Sequence, residues 1–141
     1  MNQHYLNPLF SPKSVAIIGA SERSSSVGYR LMLNMMEAGF KGGLYPVNHK
    51  HAEILGLPAF KDVLAFPEDV ELAVISVPSD NVPTVMRQCG EKGITSVIII
   101  SAGFSELGEP GLRLQQEVLD IARRYGIRII GPNCLGIARP S

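Results

Sequence analysis

The chain contains no tryptophan, few aromatic residues and only two cysteines among its 141 residues. Cys89 and Cys134 are too few and too far apart for a disulfide framework or a zinc finger, so we expect a reducing, cytoplasmic setting. Thirteen basic and thirteen acidic residues cancel, which argues against binding to nucleic acid or to an anionic membrane. No apolar run reaches the roughly 18 residues of a membrane span, and residues 1–12 lack the features of a secretory signal.

The chain does contain a regular alternation of short apolar runs and amphipathic segments. With 45% hydrophobic and 18% charged residues, it can build one folded core. The apolar runs show no polar alternation, which is typical of strands covered on both faces. The pattern predicts a doubly wound α/β domain, in which a parallel sheet of five main strands has helices on both faces. The predicted strands are 14–18, 43–47, 72–77, 96–100 and 127–130, and the predicted helices are 27–38, 80–90 and 110–125.

Local signals add detail to these elements. Apolar residues at helical spacing predict the buried face of the first helix, with two methionines beside it. Ser79 or Asp80 is expected to cap the second helix. In the segment 55–67, Pro58 and Pro67 leave room only for a short strand and one or two helical turns. The predicted face of the first helix consists of Val27, Leu31, Met35 and Ala38, and the methionines are Met32 and Met36.

The turn after the first strand carries the sharpest functional signal. Gly19 lets the chain leave the strand tightly, and small residues follow it. Serines precede the next helix, whose free N–H groups and dipole would hold a phosphate. Gly28, expected in an exposed loop, would let the phosphate approach. The alternative is a tight turn with serine caps. The candidate phosphate-binding residues are Gly19, Ala20, Ser21, Glu22, Ser25, Ser26, Val27 and Gly28.

The end of the second strand indicates which cofactor fits. Enzymes that use NAD place an acidic residue here to hold the ribose diol, but this chain has Asn48, His49 and Lys50 and no acid before Glu53. A carboxylate would repel a phosphorylated ribose, whereas Lys50 would attract one. The sequence therefore predicts a cofactor with a phosphorylated ribose, and both CoA and NADP fit. The alternative is a solvated polar turn.

The remaining strand ends supply small or apolar residues. Val77 and Pro78 would flank an adenine ring, although a plain strand exit is the alternative. Backbone amides in the small-residue loop 101–106 would approach the ligand, and the turn 131–136 completes this edge. Cys134 has no histidine base nearby in sequence, so we interpret it as a structural thiol. The candidate residues in these last two segments are Ser101, Ala102, Gly103 and Asn133.

Taken in order, five motifs resemble the CoA-binding domain of NDP-forming acyl-CoA synthetases. They are SPKSVAIIGASERSSSVGYRLMLNM, GGLYPVNHKHAEILGLPAFKDV, ELAVISVP, IIISAGFSELG and IRIIGPNCLG. The resemblance runs from about Leu9 to Pro140. The succinyl-CoA synthetase alpha subunit is a more distant relative. The same domain opens a class of bacterial protein lysine acetyltransferases.

The resemblance implies a role for each segment. It implies that residues 19–22 and the serines up to Gly28 lie by the CoA phosphates, and that Asn48 and Lys50 face the nucleotide end. It implies that residues 77–78 border the adenine and that residues 101–103 line the pantetheine path. One departure concerns His49, because the family has proline at that position; His49 either adds a phosphate contact or does nothing.

The resemblance also implies what lies outside the chain. The ligase reaction of this family needs a phosphohistidine and a nucleotide-grasping domain, and neither fits in 141 residues. We therefore expect CoA or acyl-CoA as the ligand, no catalysis by the chain alone, and downstream domains of the same protein as partners. Residues 1–12 are read as a lead-in, 13–138 as the CoA-binding domain and 139–141 as the start of a linker to a missing region.

Other readings of the same residues stay open. The domain could serve as the CoA-binding regulatory half of a protein lysine acetyltransferase, or as a non-catalytic ligand sensor. An NADP-binding oxidoreductase is a further alternative, but the strand ends offer no plausible acid–base residue for it. A homo-oligomer is possible, whereas nucleic acid and membranes are not expected as partners.

Overall fold

The computed structural model describes residues 12–100 and 108–130, and its elements alternate as the sequence predicts. The strands are β1 Ser14–Ile18, β2 Gly43–Val47, β3 Glu53–Ile54, β4 Leu57–Pro58, β5 Leu72–Ile75, β6 Ser96–Ile99 and β7 Arg128–Ile130. The helices are α1 Val27–Glu37, α2 Val82–Lys92 and α3 Glu109–Tyr125, with 3-10 turns at Val63–Ala65 and Ser79–Asn81. Helices α2 and α3 each end at a glycine in the left-handed conformation, where a side chain would be strained: Gly93 and Gly126.

Within the described residues, five parallel strands form one sheet in the order β2-β1-β5-β6-β7. Each strand is a short apolar run, and all five residues of β1 are buried. The chain moves from β1 out to β2, returns across β1 to β5, and then continues to β6 and β7. This change of direction between β1 and β5 is the switch point of a doubly wound sheet, and it confirms the predicted fold class.

Alternate residues of the strands face two separate cores. On one face Ile17 packs with Met32 of α1. On the other face Ile18 packs with Met86 of α2 and Val118 of α3. These side chains are almost completely buried, so each face of the sheet is covered by helix. Helices on both faces were expected from strands that lack polar positions.

Three local expectations were wrong. Met32 is fully buried in α1, whereas Val27 is 49% exposed, so the buried face is rotated from the predicted one. The residue before α2 is Asn81, whose side chain makes no capping hydrogen bond, because a 3-10 turn occupies Ser79–Asn81. The third main strand ends at Ile75, two residues before the predicted end.

The connection from β2 to β5 holds a small hairpin and an aromatic cluster. Strands β3 and β4 pair antiparallel around a tight turn, and the 3-10 turn follows them. Tyr45, Phe60 and Phe66 contact one another at ring-centroid distances of 5.2–6.0 Å. The Tyr45 hydroxyl donates to the Glu68 carboxylate, and this hydrogen bond raises the pKa of Tyr45. These contacts fix the connection against the edge strand β2.

No helix in residues 12–100 and 108–130 is long and apolar enough to cross a membrane.

Candidate functional site

A cleft of about 920 Å³ opens at the carboxyl edge of the sheet, at the switch point between β1 and β5. Ile18 is in register with Val47 and with Ile75, so three strands end at the same level. Ligands of doubly wound domains bind at this position because the loops diverge there and leave a crevice. The predicted site residues that line the cleft are Gly19, Ala20, Ser21, Glu22, Ser26, Asn48, His49, Lys50, Val77 and Pro78.

Gly19 joins the three strand ends at the floor of this cleft. Its N–H donates to the Val47 carbonyl at 3.3 Å, and the Ser76 N–H donates to the Ile18 carbonyl at 2.8 Å. Gly19 has a φ of +98°, and a Cβ there would lie 2.1 Å from the Ser76 carbonyl oxygen. Only glycine fits this conformation and this space, so the tight turn predicted at Gly19 is present.

Gly28 has a different position from the one expected. It is buried in the first turn of α1, and a Cβ there would lie 2.0 Å from the Gly19 carbonyl oxygen. The expectation of an exposed loop position is therefore wrong. Gly28 lets the start of α1 pack directly on the turn after β1, which is the role of a glycine at a close helix–strand contact. Of the predicted site residues that the structure describes, three do not line the cleft: Ser25, Val27 and Gly28.

Two serines of the first loop, residues 19–26, hydrogen-bond to the backbone of that loop and of the first turn of α1. The Ser21 hydroxyl accepts from the Arg23 N–H at 2.9 Å. Ser26 is the N-cap of α1: its hydroxyl accepts from the Tyr29 N–H at 3.1 Å and donates to the Arg23 carbonyl at 2.9 Å. The loop is thus held in one shape, with the start of α1 beside the cleft. Backbone N–H groups in a first helical turn have no intrahelical acceptor, so they suit an anion.

The second loop, residues 48–51, is organised by Asn48. The Asn48 side-chain oxygen accepts from the N–H groups of Lys50 at 2.7 Å and His51 at 2.9 Å. Its side-chain nitrogen donates to the Ala20 carbonyl at 3.0 Å, in the first loop. Asn48 therefore ties the two loops together and fixes the backbone that carries Lys50.

In the described lining of the cleft, three arginine and lysine side chains face two carboxylates. The Glu22 carboxylate accepts from the Leu55 N–H at 2.7 Å, at the tip of the β3–β4 hairpin. The Asp62 carboxylate accepts from the Leu64 N–H at 2.9 Å and caps a 3-10 turn. Both acids are thus engaged with backbone donors. The basic side chains in the cleft lining are Arg23, His49, Lys50, His51 and Lys61, and each is exposed.

The remaining wall of the cleft is less polar and is formed by the residues after β5 and by α2. Val77 and Pro78 leave β5, and Val85 of α2 is half-buried beside them. Thr84 and Gln88 of α2 add one hydroxyl and one amide. An apolar wall with a few polar groups suits an aromatic ring such as a nucleobase.

Sequence reasoning missed part of this lining. Most of the missed residues come from α2, from the turn before it and from the connection to β5, whereas Arg23 belongs to the first loop. No local pattern marks the residues of α2 and of the connection, because their approach to the cleft depends on how the two crossovers pack. The predicted residues Ser101, Ala102, Gly103 and Asn133, with Cys134, lie outside the described residues. The missed lining residues are Ile18, Arg23, Val47, His51, Lys61, Asp62, Ser76, Asn81, Thr84, Val85 and Gln88.

Neither a metal centre nor a reactive thiol is found in the part of the chain that the structure describes. No group of three potential metal ligands occurs within it. Cys89 is a free, fully buried cysteine in α2, and burial raises the pKa of its thiol to about 12. A thiol with so high a pKa is protonated at neutral pH and is not a nucleophile.

Comparison with known proteins agrees with this geometry. The profile of a family described as "CoA binding domain" matches residues 13–140. The chain belongs to this CoA-binding domain family. Between the two cofactors with a phosphorylated ribose that the sequence left open, the family selects CoA as the ligand. The predicted family, fold class and cofactor are therefore confirmed.

The curated relatives are much longer than this CoA-binding domain. The ADP-forming acetate–CoA ligase I alpha subunit of Pyrococcus furiosus is 48% identical over 136 residues, which are 94% of this chain and 29% of that subunit. An ADP-forming acetate–CoA ligase of Methanocaldococcus jannaschii is 52% identical over 126 residues, 89% of this chain and 17% of that ligase. The chain spans less than a third of the length of either relative.

A solved structure shows the same fold. The apo form of dinucleotide-forming acetyl-coenzyme A synthetase 1 from Ca. Korarchaeum cryptofilum aligns with a TM-score of 0.85 at 40% identity. The alignment covers 91% of this chain and 28% of that one. The domain is thus homologous to a fragment of larger acyl-CoA synthetases.

Proposed function

We propose that CoA lies in the cleft at the switch point, with the phosphate of its ribose at Lys50. The observation that carries the proposal is the second loop: Asn48 holds the Lys50 backbone in place, and the acids of the described lining are engaged with backbone N–H groups. A phosphate at Lys50 meets a lining in which lysine and arginine outnumber the carboxylates, and both carboxylates are directed to backbone N–H groups. The pyrophosphate then lies along the first loop and the start of α1.

The other parts of CoA follow from this placement. The adenine stacks against Val77 and Pro78, on the wall that Val85 completes. The pantetheine runs toward residues 101–103, as the family resemblance implies, and Asn133 stays a candidate contact at the same edge. His49 and His51 lie beside Lys50, so they add contacts at the ribose end and take no part in chemistry at the thiol. Ser25, Val27 and Gly28 support the phosphates through the shape of the loop, since they do not line the cleft.

We further propose that the domain works inside an NDP-forming acid–CoA ligase. Support comes from the relatives, which include ADP-forming acetate–CoA ligases and an ADP-forming 4-hydroxybutyrate–CoA ligase. Its partners are then the other domains of that protein, joined after residue 138 by a linker, in a cytoplasmic setting. The acetyltransferase half, the ligand sensor and a homo-oligomer stay as alternatives. The purified chain should bind CoA yet form no acyl-CoA from acid, CoA, ATP and magnesium.

The direct experiment compares CoA with dephospho-CoA, which lacks the ribose phosphate. Calorimetric titration should show CoA binding about 10- to 100-fold more tightly, since a charge-assisted phosphate contact contributes about 1.5–3 kcal/mol. Lys50→Met should remove most of this preference and leave the affinity for dephospho-CoA nearly unchanged. The added affinity should also weaken as salt is raised.

Lys41→Met is the matched control, because Lys41 is equally exposed but precedes β2, at the opposite edge of the sheet. It should keep the full preference for CoA. Equal affinity of the unmodified chain for CoA and dephospho-CoA would contradict the placement of the phosphate at Lys50. Tighter binding of NADPH than of CoA would contradict the placement of CoA in the cleft altogether.

A further inference from the structure

Asn48 is bound on three sides by separate segments of the chain. Its backbone N–H donates to the Phe60 carbonyl at 2.9 Å, in the connection to β5. Its side-chain oxygen holds the N–H groups of Lys50 and His51, and its side-chain nitrogen holds the Ala20 carbonyl. Asn48 is the first residue after β2. This is the position from which NAD-binding domains extend an acid to the ribose.

The hydrogen bonds determine which way the amide faces. Two N–H donors lie on one side of it and a carbonyl acceptor lies on the other, so only one orientation satisfies all three partners. The oxygen then has both lone pairs occupied, and one N–H of the side chain remains. The Asn48 oxygen is therefore committed to the protein backbone and is not available to a ribose hydroxyl.

An acid cannot make the same set of contacts. Aspartate at this position could accept from Lys50 and His51, but its second oxygen would face the Ala20 carbonyl at about the distance where the amide nitrogen now donates, 3.0 Å. Two acceptors at that distance repel each other, and an ionised carboxylate is acceptor-only. The bond to Ala20 thus requires an amide, and the amide removes the charge that would repel a phosphate.

We propose that Asn48 is a positioning residue that makes the cleft select a phosphorylated ribose. It fastens the Lys50 loop to the first loop, so that the ribose phosphate at Lys50 and the pyrophosphate at the first loop are bound as one unit. The inference rests on the proposed placement of CoA, and it adds that this selectivity depends on a side chain that does not itself hold the ribose.

The test uses Asn48→Ala and Asn48→Asp in the whole chain, titrated with CoA and with dephospho-CoA. Asn48→Ala should lower the affinity for CoA about tenfold and that for dephospho-CoA about threefold or less, so the preference shrinks. Asn48→Asp should abolish the preference, because it adds a negative charge beside the ribose phosphate. Asn34→Asp makes the same change of charge on the exposed surface of α1, and it should leave both affinities unchanged.

Hydrogen exchange in the ligand-free chain tests the contacts of the Asn48 side-chain oxygen separately from those of its nitrogen. In Asn48→Ala the amide protons of Lys50 and His51 lose their acceptor and should exchange faster. In Asn48→Asp the carboxylate still accepts from them, so they should stay protected although the preference for CoA is gone. If protection is lost in Asn48→Ala and kept in Asn48→Asp, the side-chain oxygen orders the Lys50 loop, and the side-chain nitrogen separately accounts for the preference for CoA. If Asn48→Ala does not fold, Asn48→Ser takes its place, with the same expected loss of preference.

Two results would overturn this inference alone. One is an unmodified chain that prefers CoA and an Asn48→Ala variant that keeps the preference in full. The other is an equal loss of affinity for both ligands, which would mean that Asn48 contacts a part of CoA that both share. If the unmodified chain shows no preference, the proposed placement of the phosphate fails first, and this inference fails with it.

Discussion

Gly28 and Gly90 both lie so close to a neighbour that a Cβ has no room, but the neighbours differ. A Cβ on Gly28 would lie 2.0 Å from the Gly19 carbonyl oxygen, which belongs to the backbone of the first loop. A Cβ on Gly90 would lie 2.2 Å from the ring of Tyr125, the last residue of α3. A half-buried side chain can turn away, whereas a backbone fixed between three strands cannot.

The comparison distinguishes the part of the molecule that shapes the cleft from the part that supports it. Gly28 sets the distance between α1 and the turn after β1, and that distance fixes the loop proposed to hold the pyrophosphate. Gly90 sets the contact between α2 and α3, on the other face of the sheet. The first contact should therefore control stability and binding together, and the second should control stability alone.

The largest effect is expected from Gly28→Ala. The added methyl group meets backbone, so α1 or the first loop must shift. We expect a loss of about 3 kcal/mol or more in the free energy of unfolding, and CoA binding that is weak even in the folded fraction. Chemical denaturation and titration measure the two quantities. A variant that folds and binds like the unmodified chain would show that the close approach of α1 is unimportant.

A smaller effect is expected from Gly90→Ala. The Tyr125 ring can swing toward solvent, so we expect a loss of about 1–2 kcal/mol in the free energy of unfolding. The affinity of the folded protein for CoA should be unchanged. Combining Gly90→Ala with Tyr125→Ala should cost less than the sum of the two single changes, because the ring atoms that the new methyl group meets are then absent. If Gly90→Ala lowered the affinity for CoA as well as the stability, the proposed difference between Gly28 and Gly90 would be wrong.

The smallest effect is expected at the ion pair between α2 and α3. Arg87 donates to the Glu117 carboxylate at 2.8 Å, with the side chains 44% and 47% exposed. Exposed pairs contribute little, so a double-mutant cycle with Arg87→Ala and Glu117→Ala should give a coupling below about 1 kcal/mol. Titration should show no change in CoA affinity. A coupling larger than the Gly90 effect would mean that charge, and not packing, holds these helices together.

The fold was predictable because its signals are local. Each main strand is a short apolar run bounded by glycine, proline or polar residues, and α3 is framed by Pro110 and Gly126. The failures occur where the outcome depends on packing. The two-residue strands β3 and β4 are too short to show any periodicity. On α1, Met32 and not Val27 is buried, because the packing of the folded chain decides which side of the helix faces the sheet.

The candidate site was predictable in outline for the same reason. The strand ends were identified from the turn after β1 and from the absence of an acid after β2. What the sequence could not show is which partner each polar group takes. Glu22 lines the cleft, and its carboxylate also accepts from the Leu55 N–H, a contact that no sequence pattern indicates. Gly28 appeared as part of an exposed loop, but it packs against Gly19.

The central claim is that CoA lies in the cleft between the first and second loops, and its most direct test is an NMR titration of the isotope-labelled chain. Adding CoA should shift the amide signals of Gly19, Ala20, Asn48, Lys50 and Val77, while those of Gly93 and Thr95, at the opposite edge of the sheet, should stay in place. The account predicts larger shifts at Lys50 with CoA than with dephospho-CoA. Shifts confined to residues outside the cleft would contradict it.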